Sequence, residues 1–294
     1  MASSQRKKNA SVKKGRGELK LVYRDTVQNF ATGKYKKVSV GPYERITFDE
    51  ILKEEREWWK ANQKDLKGAN AGEKGVCCCS EAKVKVQDED TLLVTQELLK
   101  IGYKKNLVLN MASDYRPGGG VESGSSAQEE ELFRRTGYHK AIEKSFYPLY
   151  DGVVVSQKVP IVKDEHYKYL PRPLYADFIA CPGIRRPCLN DSGTDYEDKK
   201  EDESMVQRVR AVFAVGRQRG YETLVLGALG CGAFANPVKR VLAIFHKMVS
   251  TYRPFFKEIR FAVLDKGTGN YAKFKGLEEA FPPCSCHIGT LPAL

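Results

Sequence analysis

The sequence predicts an α/β protein whose central sheet is largely parallel or mixed and carries helices on both faces. From Ala82 onward, short apolar segments alternate with amphipathic ones, the pattern expected when strands and helices follow one another. Two glycine-rich loops directly follow two of the apolar segments, and sheets of this kind bind ligands outside the carboxyl ends of their strands. With 294 residues, 41% of them hydrophobic, the chain can bury a sizeable core.

The first 80 residues differ in character from the rest. Residues 1–20 carry seven basic side chains and one acidic side chain, a local charge of +6 out of the total of +12. Because this segment has few apolar residues, we predict a disordered tail: a solvated segment, a nuclear import signal or an arm that binds an anionic polymer. Residues 21–80 are predicted to form a mainly helical extension, in which Thr47 and Glu50 form a capping box.

The remaining chain is predicted to complete one domain, residues 21–294, with its core at residues 81–281. Apolar runs and helical spacing give the expected elements. Strands are predicted at 84–86, 106–112, 152–162, 177–181, 222–226 and 258–264, and helices at 91–100, 128–144, 204–219 and 237–252.

Composition limits where the protein acts. No run approaches the roughly 18 apolar residues of a membrane helix, and no signal-peptide core lies near residue 1. We therefore expect an intracellular monomer, cytoplasmic or nuclear, without membrane contact. The consecutive Cys77, Cys78 and Cys79 do not suit a disulfide framework. Cys284 and His287 find no partner at metal-ligand spacing, so we expect no metal site.

The first glycine-rich loop is the most informative motif. Three successive glycines at positions 118–120 follow the apolar segment 106–112, and Gln128-Glu129-Glu130 opens the next helix seven residues later. A loop without Cβ atoms can wrap a phosphate or a ribose with its N–H groups. A carboxyl group beside such a loop can act on a sugar bond. For Glu129 a structural alternative is a capping box with Ser126.

The second glycine-rich loop, residues 227–237, joins the predicted strand 222–226 to a helix. Asn236 suits the N-cap and Pro237 the first helical position. A glycine-rich turn that runs into a helix N-terminus is a ready anion site, although a tight turn without a ligand is the alternative. The chain lacks the GxxxxGK[ST] pattern, which argues against a P-loop nucleotidase.

Taken together, the glycine triplet, the spacer of seven residues and Gln128-Glu129-Glu130 resemble the signature of microbial-type poly(ADP-ribose) glycohydrolases, a branch of the macrodomain superfamily. Arg24, Thr26, Gly33 and Tyr35 also resemble the N-terminal segment of that family. The resemblance implies a macrodomain-type three-layer α/β/α sandwich with a mixed central sheet and an N-terminal helical extension.

The resemblance also implies an activity. The expected enzyme hydrolyses ribose–ribose O-glycosidic bonds of poly(ADP-ribose), releases ADP-ribose and needs no cofactor. Its expected partners are poly(ADP-ribose) or ADP-ribosylated proteins, and the basic tail could contact nucleic acid. The alternatives are a hydrolase of mono-ADP-ribose linkages and a macrodomain that only binds ADP-ribose. The intact Gln-Glu-Glu motif argues against the second alternative.

By the same resemblance, Glu130 is the general acid and base and Glu129 contacts a ribose hydroxyl, although Glu131 makes the register ambiguous. Neighbouring helical residues point about 100° apart, which favours a mechanism with one carboxyl group of raised pKa. Phe234 packs either against the substrate or in the core, and Asp90 competes with Asp88 and Glu89 as the adenine contact. The full set of expected substrate-binding residues is Asn110, Gly118, Gly119, Gly120, Val121, Gln128, Gly230, Cys231, Gly232, Ala233, Phe234 and Asp90.

Overall fold

The computed structural model describes residues 14–62 and 81–282. In chain order the elements are α1 (Arg16–Ala31), β1 (Tyr43–Thr47), α2 (Phe48–Ala61), β2 (Lys83–Gln87), α3 (Thr91–Ile101), β3 (Asn106–Ala112), α4 (Gln128–Arg135), β4 (Gly152–Lys163), β5 (Tyr169–Pro182), α5 (Lys199–Gln218), β6 (Thr223–Leu226), α6 (Val238–Tyr252), β7 (Glu258–Ala262) and α7 (Asn270–Ala280).

The strands form one mixed sheet in the order β1-β4-β5-β3-β6-β7-β2. The pairs of β1 with β4 and of β4 with β5 are antiparallel, whereas β5, β3, β6, β7 and β2 run parallel. The five parallel strands therefore end at one edge of the sheet, which is where both glycine-rich loops begin.

Alternate residues of β3 show how the sheet separates two cores. Leu107 and Leu109 pack into the cluster that contains residues of α2, α5, α6 and α7. Val108 and Ala112 pack into the cluster that contains residues of α3 and α4. Since side chains alternate across a strand, the helices lie in two layers on opposite faces of the sheet. This confirms the predicted three-layer α/β/α sandwich with a mixed sheet.

The N-terminal boundary differs from the prediction. Helix α1 begins at Arg16, so residues 16–20 are helical and do not belong to a disordered tail. The Glu18 carboxylate accepts a hydrogen bond from the Gly15 N–H (2.9 Å), and Leu19 is buried, which together anchor the first turn. Residues 1–13, the Cys77–Cys79 run and the segment from Cys284 to His287 lie outside the described residues, so the predictions made for them stay predictions.

Other boundaries follow local chemistry. The predicted capping box of α2 is present, because Thr47 and Glu50 exchange hydrogen bonds between side chain and backbone. Helix α4 ends at Arg135, well before the predicted residue 144, because Thr136 is extended and pairs with Ile161 of β4. None of the helices in residues 14–62 and 81–282 is both long and apolar enough to cross a bilayer.

Candidate active site

The site lies at the carboxyl end of β3, beyond the last residue of β3 that pairs with β6. Their pairing stops at Val108, so the last residues of β3 keep unpaired backbone groups on that side. The amide of Gln128 takes these groups: its Oε1 accepts from the Met111 N–H (2.9 Å) and its Nε2 donates to the Leu109 carbonyl (2.7 Å). Gln128, predicted as a substrate contact, thereby fixes the start of α4 against the central strand.

The triple-glycine loop uses its N–H groups inside the protein. The Gly118 N–H donates to Glu129 Oε1 (3.1 Å), and the Gly120 N–H donates to Glu130 Oε1 (2.8 Å). The Gly119 N–H donates to the Arg116 carbonyl (3.3 Å). Two of the three N–H groups thus already hold the glutamates, and the binding of a phosphate or ribose by this loop stays a prediction.

Gly119 is the point at which the two carboxylates meet. Its φ of +51° is a conformation that glycine adopts without strain. A Cβ added there would lie 2.7 Å from Glu130 Oε1 and 3.0 Å from Glu129 Oε2. The expectation that neighbouring glutamates diverge is thus wrong for this pair, because both side chains bend towards the same glycine.

Glu129 lies in a nearly closed polar pocket, with 3% of its surface exposed. Its carboxylate accepts from the Ser113 N–H (2.7 Å) and from Asn110 Nδ2 (3.3 Å), besides Gly118. Burial raises the pKa of Glu129 to about 8, and the charge of Glu130 adds to the rise, while these N–H donors oppose it. Burial therefore favours the protonated form of Glu129.

Asn110 lies beneath Glu129 and is fully buried. Its Nδ2 bridges Glu129 and the hydroxyl of Tyr138, at 3.3 and 3.4 Å. Its Oδ1 is buried and has no hydrogen-bond partner among the described residues. Because an unpaired buried acceptor is costly, Oδ1 is a candidate to accept a hydroxyl of a ligand. Tyr138 is a site residue that the sequence did not single out.

Glu130 and Glu131 have separate environments, which bears on the register of the motif. Besides Gly120, the Glu130 carboxylate accepts from the Ala127 N–H (2.9 Å), so Glu130 and not Glu129 serves the N-terminus of α4. The capping box expected from Ser126 and Glu129 does not form. Glu131 instead pairs with Arg134 (2.9 Å) and accepts from the Tyr167 hydroxyl. Of these two, Glu130 is the one that lies against the glycine loop.

The raised pKa of Glu129 predicts how stability varies with pH. The folded protein keeps a proton that an unfolded chain releases near the ordinary pKa of 4.5. This contribution is therefore complete below about pH 4.5 and is lost as the pH rises through about 8. Between pH 5 and pH 9 we expect the melting temperature of Glu129→Gln to rise relative to that of the natural protein. The natural protein loses this stabilisation as Glu129 ionises, whereas glutamine cannot ionise.

Thermal unfolding across that pH series measures the effect. The control is Glu122→Gln, which removes an exposed carboxylate next to the same loop. Its melting temperature should run parallel to that of the natural protein. Parallel curves for Glu129→Gln as well would show that Glu129 is ionised in the folded state.

The second glycine-rich loop presents a run of three N–H groups that could bind a ligand. Within the described residues, the N–H groups of Gly232, Ala233 and Phe234 make no hydrogen bond, and Gly232 and Ala233 are exposed. Consecutive N–H groups without a partner, ahead of a helix, are suited to bind an anion. The Cys231 N–H already donates to the Ala228 carbonyl (3.0 Å) and its side chain is buried, so the substrate contact predicted for Cys231 stays a prediction.

Asn236 holds this second loop in shape. Its Nδ2 donates to the carbonyls of Ile184 (2.6 Å) and Gly230 (3.1 Å), and its Oδ1 accepts from the Tyr196 hydroxyl (2.9 Å). The N-cap of α6 is Pro237, so the predicted N-cap role of Asn236 is wrong. Gly230 has a φ of +73° and packs against this amide. The absence of a side chain at Gly230 is what allows the contact.

Three further predicted residues lie around the two loops. Phe234 is half-buried, and the guanidinium of Arg185 stacks on its ring at 4.5 Å. Val121 is buried and lines a pocket of about 190 Å³ on the side of the triple-glycine loop that faces α1. Asp90 caps α3 and pairs with the buried Arg135 (2.7 Å), so its carboxylate is already engaged. Arg185 was not among the predicted site residues. The sequence signal that could have identified it is the pair of arginines that follows β5.

Comparison with known proteins gives a consistent result. A family model described as "Microbial-type PARG, catalytic domain" matches residues 24–165. The structure is similar to poly(ADP-ribose) glycohydrolase (PARG) from Thermomonospora curvata, with a TM-score of 0.71, 25% identity and coverage of 89% of this chain and 99% of that one. The same protein bound to the inhibitor ADP-HPD gives a TM-score of 0.69, 25% identity and coverage of 88% and 98%.

A more distant similarity supports the fold alone. The PARG from Deinococcus radiodurans in complex with ADP-ribose has a TM-score of 0.62 and 23% identity, with 82% of this chain and 95% of that one covered. A search of curated protein sequences found no match.

Proposed function

We propose how this chain, a member of the microbial-type poly(ADP-ribose) glycohydrolases, carries out its reaction. Glu130 is the general acid and base with which it releases ADP-ribose from poly(ADP-ribose). The observation that carries the proposal is the junction at Gly119, where two buried carboxylates lie against one loop at the end of β3. Buried carboxyl groups beside a loop that has no Cβ at their meeting point are suited to act on a sugar bond.

The substrate's orientation follows from the two loops. The N–H groups of Gly232, Ala233 and Phe234, which have no hydrogen-bond partner in residues 14–62 and 81–282, would bind the diphosphate of the terminal ADP-ribose unit. From there the terminal ribose reaches across to the end of β3, where Asn110 Oδ1 has no partner in the described part of the chain and Glu129 is nearly buried. Binding energy from the diphosphate thereby positions a sugar that is several bonds away from it.

The chemical step begins with a proton on Glu130, besides the one that Glu129 keeps. Glu130, as the acid, donates it to the ribose oxygen that leaves with the rest of the polymer, and an oxocarbenium-like centre develops at the anomeric carbon. The same carboxylate then removes a proton from the attacking water, whose oxygen completes the released ADP-ribose. The N–H groups of Gly120 and Ala127 hold the Glu130 carboxylate in place during both transfers.

Glu129 has a different task in this scheme. Its proton, retained up to about pH 8, lets its carboxyl group donate to a ribose oxygen as well as accept from a hydroxyl. A neutral Glu129 also adds no second negative charge beside Glu130 once Glu130 has given up its proton in the closed site, where like charges would repel. The ribose contact predicted for Glu129 is thus retained in the proposal.

The test of this function compares two substrates side by side. Proteins carrying poly(ADP-ribose) and proteins carrying single ADP-ribose units are incubated with the natural protein, and free ADP-ribose is resolved and quantified. We expect release from the polymer and a stable single unit left on the protein. Preferential release from the single-unit substrate would indicate a mono-ADP-ribosyl hydrolase, and binding of both without release would indicate a reader.

A further inference from the structure

Exposed aromatic and basic side chains surround the site on the side of β5 and β4. Tyr115 is 69% exposed and Tyr150 is 56% exposed. Arg116 follows Tyr115 towards the glycine loop, and Arg185 follows β5; both are exposed. We refer to Tyr115, Arg116, Tyr150 and Arg185 as the outer rim. Large exposed rings that lie together on a surface mark a binding site more often than scattered ones do.

Asp114 joins the parts of the outer rim. Its carbonyl accepts from the Leu149 N–H (2.8 Å), which places the chain segment of Tyr150 beside that of Tyr115. Its carboxylate accepts from Arg185 Nε at 3.0 and 3.2 Å. Arg185 in turn stacks on Phe234 of the second loop. The rim is therefore continuous with the proposed diphosphate site.

The charge of the rim is positive in balance. Asp114 neutralises part of the charge on Arg185. Arg116 uses its Nε to donate to the Gly119 carbonyl (2.8 Å), and within the described part of the chain it has no carboxylate partner. Rings that alternate with guanidinium groups are the surface that single-stranded nucleotide polymers bind, through base stacking and phosphate contacts.

The sheet order gives the direction of the polymer. The proposed diphosphate site follows β6, and the glutamates lie at the end of β3. Continuing in the same direction across the sheet, the next strands are β5 and β4, whose neighbouring ends carry Arg185 and Tyr150. A terminal unit that runs from the second loop to the glutamates thus presents its scissile bond towards the outer rim.

We propose that the outer rim is a subsite for the ADP-ribose unit next to the scissile bond, with its adenine stacked on the tyrosine rings and its diphosphate facing Arg116 and Arg185. This inference rests on the proposed function and adds a preference for polymer over free ADP-ribose. Arg185, whose guanidinium contacts both Phe234 and Asp114, would then lie between the two ADP-ribose units.

Binding to an enzyme that cannot cleave the polymer tests the subsite. In the Glu130→Gln background, Tyr115→Ala and Tyr150→Ala are made singly and together. Their affinities are measured for ADP-ribose and for an oligomer of three ADP-ribose units. We expect ADP-ribose affinity to stay within about twofold, because in the proposed arrangement neither tyrosine contacts the terminal unit. Oligomer affinity should fall by roughly tenfold or more for the double variant, the scale of a lost base stack.

Tyr175→Ala is the matched control, because Tyr175 is another exposed tyrosine (45%) but lies in the middle of β5, seven residues before its end. It should leave both affinities unchanged. Equal oligomer affinity in the rim and control variants would overturn the subsite. A loss confined to a single-stranded oligoadenylate, with the ADP-ribose oligomer still bound, would overturn it in favour of a nucleic-acid surface.

These outcomes separate the subsite from the proposed function. If the natural protein releases ADP-ribose from the polymer while the rim variants bind the oligomer normally, only the subsite fails. If the natural protein releases no ADP-ribose, the proposed function fails whatever the rim variants do.

Discussion

Glu130→Gln should lower the rate of ADP-ribose release by about 10²- to 10⁴-fold, the range typical of a lost general acid–base group. Glutamine keeps the size of the side chain but cannot donate and recover the proton. Affinity for ADP-ribose should stay near normal, since the N–H groups proposed to bind the diphosphate belong to the second loop. Single-turnover release from poly(ADP-ribose), together with calorimetry of ADP-ribose, measures both quantities.

Glu131→Gln is the control for the register of the motif. Glu131 pairs with Arg134 and Tyr167, so this variant should lose some stability and keep most of its activity. A dead Glu131→Gln beside an active Glu130→Gln would shift the catalytic assignment by one residue and contradict the mechanism.

Gly119→Ala should be the second large loss, by about 10²-fold, because a misplacement of catalytic groups by about an ångström costs that much. The added methyl would meet the carboxylate oxygens of Glu130 and Glu129 at 2.7 and 3.0 Å, and both side chains would have to move. The same single-turnover assay measures the loss, and thermal unfolding reports whether the fold survives.

Strain in the backbone has to be separated from displacement of the glutamates. Gly220 also has a positive φ, +64°, and an added Cβ there would meet nothing within 4 Å. Gly220→Ala should therefore show a comparable loss of stability with activity retained. If the two variants lost activity to the same extent, the contact between Gly119 and the carboxylates would have no catalytic importance.

The sheet and its helices could be predicted because their signal is local. The apolar run 106–112 and the alternation of later segments correspond to a buried central strand and its neighbours. The length of α4 could not be predicted, because its end depends on the bridge between Thr136 and Ile161, which are distant in sequence. Residues 16–20 were misassigned because their basic composition conceals one buried anchor, Leu19.

The sequence predicted a set of residues for the candidate site, but not which contacts each of them makes. Spacing identified the glycine triplet and the glutamates, yet it could not show that the N–H groups of Gly118 and Gly120 point inward. Asn236 was predicted as the N-cap, whereas it contacts Ile184 and Tyr196, which lie 52 and 40 residues away in the chain. Hydrogen-bond direction is a property of the folded backbone, and sequence patterns do not contain it.

In the proposed function, the first glycine loop holds the catalytic glutamates and the second holds the diphosphate. The most direct measurement is the ADP-ribose dissociation constant of Gly119→Ala and of Gly232→Ala, by calorimetry. Apart from its two chain neighbours, none of the described residues has a heavy atom within 4 Å of the Cβ position of Gly232, so the added methyl would disturb none of these residues and would obstruct a ligand at the loop. We predict that Gly232→Ala weakens binding at least tenfold, while Gly119→Ala binds nearly normally despite its lost activity. Equal weakening in both variants, or normal binding in Gly232→Ala, would contradict the division of tasks between the loops.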